Sequence, residues 1–377
     1  MAPVFSRLNP APLPDDVLRT IASFLPSGDL RNLTISSKAL HSAGAPILYR
    51  SIEAWFVPTP FFANATCIDN RPAGVLETLI NGTLPRTTRS IPSRCYAAHV
   101  VTLCYGSWSM PCDFRALPLL AEALRFTHKL RHLRIDVGNS TIPILLDIFR
   151  RASIIITPSS LLKTSGPFDR RPLPCLQSIR VCRIALADAL MQHRRIETVA
   201  IELAVKEEVL AKFLRAEAPW NPRYLRQLSL NIMGCSAPPG LLESFLIAFP
   251  ALQHLALRVA SGRAPEFMQD SLATLQNLPE LGGSLHTLSI NHGNFYPNLA
   301  PSLEQLHTLF KDGLCTRSAL KAVVLGGSMW TREDMYAAWS FVAFQNSYLT
   351  HWPWLLHSSE GEWGTLGDAV KAYYHEE

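Results

Sequence analysis

Residues 225–230 read LRQLSL, residues 252–257 read LQHLAL and residues 285–290 read LHTLSI. Each is an aliphatic residue, two others, an aliphatic, one other, and an aliphatic. Outward from these three the unit recurs as VVTLCY from Val100, LRHLRI from Leu130, LQSIRV from Leu176, IETVAI from Ile196 and LKAVVL from Leu320. Successive starts are 30, 46, 20, 29, 27, 33 and 35 residues apart. Between them lie helical spacings: LLAEALRF (119–126), VKEEVLAKFLRAE (205–217), LLESFLIAF (241–249) and LEQLHTLF (303–310). Short strands alternating with helices at this period signal an α/β chain built by stacking one unit on the next.

The energetics require stacking. Side chains alternate along a strand, so the fourth and sixth positions of each unit share one face. Burying an aliphatic side chain contributes roughly 1.5–3 kcal/mol, whereas ordering backbone costs about 1–2 kcal/mol per residue. One unit cannot close that gap, and neighbours must cover one another. The pattern resembles a leucine-rich repeat array, with a departure. The family's asparagine or cysteine at the ninth position is replaced by Gly138, Met233, Ala260 and Gly293, so the units must be held together differently. Third, fifth and seventh positions point away from the expected core. They include His132, Arg134, Arg180, Gln227, His254 and Arg258, a candidate client-binding surface. The guanidinium forks of Arg134 and Arg180 suit a carboxylate or phosphate, so the expected client is acidic or phosphorylated.

The segment ahead of the repeats is different. Residues 13–52 read LPDDVLRTIASFLPSGDLRNLTISSKALHSAGAPILYRSI. Pro14, Asp15 and Asp16 open a short helix, with proline tolerated at its start and acids favoured at the positive end of its dipole. Val17, Leu18, Ile21 and Leu25 fall on one stripe at helical spacing. Pro26, Ser27 and Gly28 interrupt it, Asp29 starts a second helix with Leu30 and Leu33, and a third stretch runs from Lys38 to Leu48. Helices this short need a covering partner.

This segment resembles the F-box: Leu13-Pro14, the acidic pair Asp15-Asp16, the aliphatic pair Val17-Leu18, Ile21, Phe24-Leu25, Asp29-Leu30 and the basic Lys38 follow without a gap. Ser36 and Leu40 depart from the family's usual valine and tryptophan. The tail LYRSI (48–52) looks like the exit segment of fungal F-box proteins. The resemblance implies docking to the Skp-family adaptor of a cullin-RING (SCF) ubiquitin ligase through Leu13, Pro14, Val17, Leu18, Ile21, Leu25, Leu30 and Leu33. Some of these would share their face with the protein's own core.

Bulk properties narrow the remaining classes. Of 377 residues, 48% are hydrophobic and 17% charged, a composition for packed domains rather than disorder. No run is long enough to span a bilayer, and the first residues lack the regions of a signal peptide. The expected location is cytoplasmic and/or nuclear, with the eight cysteines reduced and mostly small buried hydrophobes. The sequons at Asn32, Asn64, Asn81 and Asn139 are then coincidental. The net charge of +5 is uneven: residues 61–200 hold 18 Lys+Arg against 9 Asp+Glu, and residues 201–377 hold 12 against 17. A solvated surface is the plain explanation; a field drawing an acidic partner to the middle of the chain is the sharper one.

No nucleophile-elbow, zinc-protease, phosphate-loop or dinucleotide motif occurs. His128 and His132 are four apart, on one face if helical, but no cysteine or carboxylate nearby completes a metal site. Basic residues are not interleaved with aromatics as RNA binding would ask. The expectation is a protein without catalysis, cofactor, metal, nucleic acid or membrane partner. Five of the eight tryptophans follow residue 329. They either close the open end of the stack or, as Trp352 and Trp354, anchor a client. TREDMYAAWSFVAF (331–344) reads as a capping helix.

The reading is an α/β protein: a helical F-box segment over 10–52, a linker or irregular first repeat over 53–95, a leucine-rich-repeat solenoid over 96–328 and an aromatic-rich cap over 329–377. A proline-bearing loop is expected over 157–174. The function expected is that of a substrate-recognition subunit of an SCF-type ligase. The alternatives are a leucine-rich-repeat scaffold or an F-box protein acting outside a ligase.

Overall fold

The computed structural model describes residues 13–56, 71–81, 96–107, 110–155, 172–214, 222–233, 240–260, 264–276, 284–292, 319–325, 328–332, 337 and 339–343. Eleven strands form one sheet whose spatial order is the chain order. They are β1 (Ser51–Phe56), β2 (Thr102–Ser107), β3 (His132–Val137), β4 (Ser178–Val181), β5 (Thr198–Val205) and β6 (Gln227–Met233). The series continues with β7 (His254–Ala260), β8 (Thr287–His292), β9 (Ala322–Leu325), β10 (Ser328–Thr331) and β11 (Ser340–Ala343). From β1 to β9 every neighbouring pair is parallel. The last two strands turn antiparallel.

All eight copies of the six-residue unit lead into a strand, from β2 to β9. Their positions stack across the sheet. First-position residues form one buried column, including Leu130, Leu225, Leu285 and Leu320. The fourth forms a second column (Leu103, Leu133, Ile179, Val199, Leu228, Leu255, Leu288, Val323), paired in register strand by strand. The sixth position forms a third, from Tyr105 and Ile135 to Ile290 and Leu325. These columns pack with helical side chains in one continuous core. The helices are α4 (Arg71–Asn81), α5 (Met110–Phe126), α6 (Ile142–Arg151), α7 (Ile184–Met191), α8 (Glu207–Leu214), α9 (Leu241–Ala248) and α10 (Ala264–Gln276).

The device holding units together lies where each strand begins. The carbonyl at the second position of one unit accepts N–H bonds from both the second and third positions of the next. Eight carbonyls do this (Arg50, Val101, Arg131, Gln177, Glu197, Arg226, Gln253 and His286), at 2.7–3.2 Å. A backbone bond of this kind does not depend on side-chain identity, so the ninth position is free to vary.

Two expectations change. Residues 51–56 pair with β2, so the sheet starts inside the tail of the helical segment. Within 53–95 the described residues, the end of β1 and α4, fit the irregular first repeat of the two alternatives. The stretch 331–344 is not a helix where described: Ser340–Ala343 is a strand pairing with β10. Trp330 is buried at 2% exposure, and the Arg332 guanidinium lies 4.9 Å over the Trp339 ring while its Nε donates to the Leu320 carbonyl at 2.6 Å. An apolar sheet end needs a cover, and a hairpin carrying tryptophans supplies it without a helix. LEQLHTLF (303–310) and all but the end of 157–174 lie outside the described residues.

At the other end, α1 (Asp15–Ser23), α2 (Ser27–Ser36) and α3 (Lys38–Leu48) form a compact helical group. The second helix opens at Ser27 rather than Asp29, directly behind Pro26, and Ser37 Oγ caps α3 by accepting from Leu40 N at 3.2 Å. Helices α2 and α3 cross closely at Gly44, where an added Cβ would lie 2.6 Å from Thr34 Cγ2 and 3.2 Å from Leu30 Cδ1.

Candidate functional site

Two surfaces gather the residues singled out in the sequence. The first is α1. The expected single stripe of Val17, Leu18, Ile21 and Leu25 splits between two faces. Leu18 and Ala22 are buried in the fold, as is Leu30 on α2, so Leu18 and Leu30 are among those that share their face with the protein's own core. Leu25 and Leu33 are half-buried. Leu13 (55% exposed), Val17 (38%), Ile21 (44%) and Phe24 (82%) are exposed. Val17 and Ile21, four apart, share one face of α1; Leu13 and Pro14 are exposed ahead of the helix and Phe24 is exposed at its C-cap. Phe24 and Ile35 (77% exposed) are the large apolar groups that the candidate set missed. Phe24 stood in the F-box match, and its exposure is what marks it here.

The helical group is anchored to the sheet. A carbonyl can only accept, so His41 Nδ1 donates to Thr34 O at 3.1 Å; His41 Nε2 then accepts from the buried Tyr96 hydroxyl at 2.9 Å. Tyr96 stacks on Tyr49 with centroids 4.2 Å apart, and β1 starts three residues after α3 ends.

The second surface is the polar sheet face. Parallel register places His132, Ser178, Thr198, Gln227, His254 and Thr287 in one row across β3 to β8. Thr198 Oγ1 donates to Gln227 Oε1 at 3.4 Å, and His254 Nδ1 is 2.8 Å from Thr287 Oγ1. Burial, reinforced by His286 in edge contact at 6.0 Å, pushes His254 down to about 4. The next row begins Glu53, Cys104, Arg134 and Arg180, then passes through Ala200, Ser229, Ala256 and Ser289. Arg258 stands one row further, opposite Asn231. The histidine pair His128/His132 shares no helix: His128 is in a turn and His132 starts β3.

Arg134 and Arg180, expected to await an anion, are already joined to one. Glu202 Oε1 lies 3.0 Å from Arg134 Nη2 and takes a short hydrogen bond from Arg180 Nε. Glu202 sits in β5 where the register with β6 shifts, between Ile201 and Val205, and Asn231 Nδ2 donates to its carbonyl at 3.2 Å. Asp136 is hydrogen-bonded to Glu202. Burial first, then the Glu202 charge and that bond, raise its carboxyl to about 6 against the pull of both arginines. Burial lowers Arg180, with Glu202 opposing. Glu202 and Asp136 belong to the outward series of the sequence pattern, but spacing along one strand carries no sign that they reach across two. Trp352 and Trp354 lie outside the described residues.

Among the described residues no helix is long and apolar enough to cross a membrane, and no group of three His, Cys, Asp or Glu side chains is placed to hold a metal. No family model matches the chain, and no curated protein matches it significantly.

Proposed function

We propose that this chain is a substrate-recognition subunit of an SCF-type cullin-RING ubiquitin ligase, its helical group an F-box and its sheet and helices an irregular leucine-rich-repeat solenoid. The observation carrying this reading is the α1 stripe. Val17 and Ile21 face solvent from α1 with Leu13 and Phe24 exposed at its two ends, while the adjoining face, Leu18 and Ala22, serves the fold. A helix with two apolar faces has one to spend on a partner. The stripe coincides with the F-box match in the sequence, which names that partner as a Skp-family adaptor. The chain-ordered parallel sheet supports the solenoid half of the reading.

On this reading the polar sheet face takes the client, and the protein does no chemistry. It holds client lysines close to a charged conjugating enzyme carried elsewhere in the assembly, an effective-concentration effect. The second reading is a repeat scaffold whose helices close the first edge of the sheet. The His41–Tyr96 bond and the short join from α3 to β1 favour it. Co-expression with a Skp-family adaptor separates the two. Equimolar co-elution of wild type, lost in Ile21→Asp/Phe24→Asp with its melting transition retained, is the expected result. Wild type eluting alone sinks the receptor reading in favour of the scaffold. Cullin capture by the adaptor complex then separates a ligase subunit from an F-box protein acting outside one.

A further inference from the structure

The sheet face holds two guanidinium groups side by side. Arg134 and Arg180 occupy paired positions on adjacent parallel strands, whose axes lie about 4.8 Å apart. Two like charges on neighbouring strands repel, and an anion between them offsets that repulsion. Glu202 is that anion, and its placement is unusual in three ways. It comes from β5, not from a strand beside Arg134, so it reaches across β4 to engage both groups. It does so through a single oxygen, Oε1, bridging Arg134 Nη2 and Arg180 Nε. It departs from a register irregularity in the β5–β6 pairing, the kind of site that re-aims a side chain.

The fourth member of the cluster opposes this arrangement. Asp136 donates to Glu202 while protonated and repels it once ionised, and after burial it is Glu202 that raises its carboxyl to about 6. At neutral pH Glu202 is thus attracted by two cations and repelled by one carboxylate. Side-chain exposure is 21% for Arg134, 16% for Glu202 and 7% for Arg180, so water reaches the Arg134–Glu202 contact while Arg180 lies beneath it. Glu53 and Cys104 complete the row on the β1 side.

We propose that Arg134 and Arg180 form an oxyanion-binding site on the sheet face which Glu202 fills from within the chain, and that an acidic or phosphate-bearing client segment binds by displacing Glu202. The proposal rests on the reading of the sheet face as the client surface and adds its regulation: the empty receptor is self-occupied. A neutral face rejects weakly acidic bystanders, because any anion must compete with a tethered carboxylate. A phosphate offers more acceptor oxygens to two guanidinium forks than the one that Glu202 presents to both.

The test uses inorganic sulfate, a dianion at all working pH values, titrated calorimetrically into the full chain at pH 7.5 and low chloride. Wild type should bind weakly. Glu202→Gln, nearly isosteric, should bind about tenfold tighter or more, because the internal competitor loses its charge. Arg134→Gln in the wild-type background should lose about tenfold, and Arg134→Lys, which keeps the charge but not the fork, should fall between the two. Thermal melts establish that each variant is folded. If Glu202→Gln does not fold, the Arg134→Gln and Arg134→Lys pair decides alone. Sulfate binding equal in wild type and Arg134→Gln overturns the proposal, as does a folded Glu202→Gln that binds no tighter than wild type. No adaptor is present, so failure here leaves the α1 reading standing, and failure of adaptor capture leaves this result standing.

Discussion

His254 and Asp136 titrate in the same pH range with opposite consequences for stability, and two substitutions separate them. His254 is depressed from its ordinary 6.5 to about 4, chiefly by burial. Its contribution is therefore complete above pH 6.5 and is lost as pH falls towards 4, because the unfolded chain takes the proton more readily. Asp136 is raised from 3.8 to about 6 by burial and Glu202. Its contribution is complete below pH 4 and is lost as pH rises through 6, because there the folded chain binds the proton more readily. Each pH unit of displacement is worth about 1.4 kcal/mol; discounting for water at the open face, each group contributes about 2 kcal/mol. In the wild type the two slopes oppose each other between pH 4.5 and 6.5. The substitutions are His254→Asn, whose amide can occupy the position of Nδ1 beside Thr287, and Asp136→Asn. The assay is urea unfolding from pH 4.5 to 7.5, read as the difference between wild type and variant so that other carboxylates cancel. The advantage of wild type over His254→Asn should shrink by about 2 kcal/mol on acidification, and its advantage over Asp136→Asn should grow by about the same amount. A difference curve for His254→Asn that is flat with pH would refute the claim that His254 is held neutral by its surroundings.

Three further outcomes follow from packing. Gly44→Ala brings a methyl within 2.6 Å of Thr34 Cγ2 and should destabilise by about 1–3 kcal/mol; in a Thr34→Ser background, which lacks that carbon, a double-mutant cycle by thermal unfolding should show most of the loss recovered. Arg194 donates to the carbonyls of Leu190 at 2.7 Å and Pro172 at 3.4 Å, and to that of Ile154. Arg194→Met strands these acceptors at about 1–3 kcal/mol each where no water enters, so chemical denaturation should register a loss of about 3 kcal/mol or more, and a loss under 1 would show that water replaces the guanidinium. Phe24→Ser, at an 82% exposed position, should leave stability within about 0.5 kcal/mol while weakening adaptor capture by about tenfold or more, given about 1.5–3 kcal/mol for burying a side chain of this size. A large stability loss would show that Phe24 packs on this chain.

Aliphatic spacing was enough to place β2 to β9, because the first, fourth and sixth positions of each unit carry the buried columns. The six-residue pattern alone is permissive, since LRNLTI (30–35) matches it inside α2, and it is the recurrence between helical spacings that selects the strands. β1 escaped the same search for a physical reason. Its unit, YRSIEA (49–54), puts Tyr49 and Ala54 in place of aliphatics; Tyr49 fills its column by stacking on Tyr96, and Ala54 is simply small. The C-terminal strand β11 was misread because acidic residues after Thr331 imitate a helix start, while the demand that Trp330 be covered is not visible in local sequence. Spacing also placed Arg134, Arg180, Gln227, His254 and Arg258 on one face. It could not show that Glu202 reaches across β4 to Arg134, since spacing along one strand says nothing of how far a side chain extends over its neighbours. On α1, helical spacing alone could not divide Val17 and Ile21 from Leu18: adjacent residues on a helix differ by about 100°, and only packing decides which side of a broad apolar stripe turns inward.

The geometry between the two surfaces bears on how such a receptor would work. Tethering raises effective concentration most when the connection holds the reacting groups near the required separation, and a slack connection dilutes the effect. Here no slack exists at the join. Helix α3 ends at Leu48, β1 begins at Ser51, and Arg50 O accepts the first pair of inter-unit bonds from Val101 and Thr102. The helical group is thus continuous with the first rung of the sheet. The His41–Tyr96 bond and the Tyr96–Tyr49 stack add a second attachment some fifty residues away in sequence. Bending the helices away from the sheet would break a buried hydroxyl–imidazole bond and unstack two rings together. A partner gripping Leu13, Val17, Ile21 and Phe24 therefore fixes the position of the sheet face as well. If client and adaptor are held as proposed, adjustment between them must come from the client or the rest of the assembly, because this join is built to transmit position rather than absorb it.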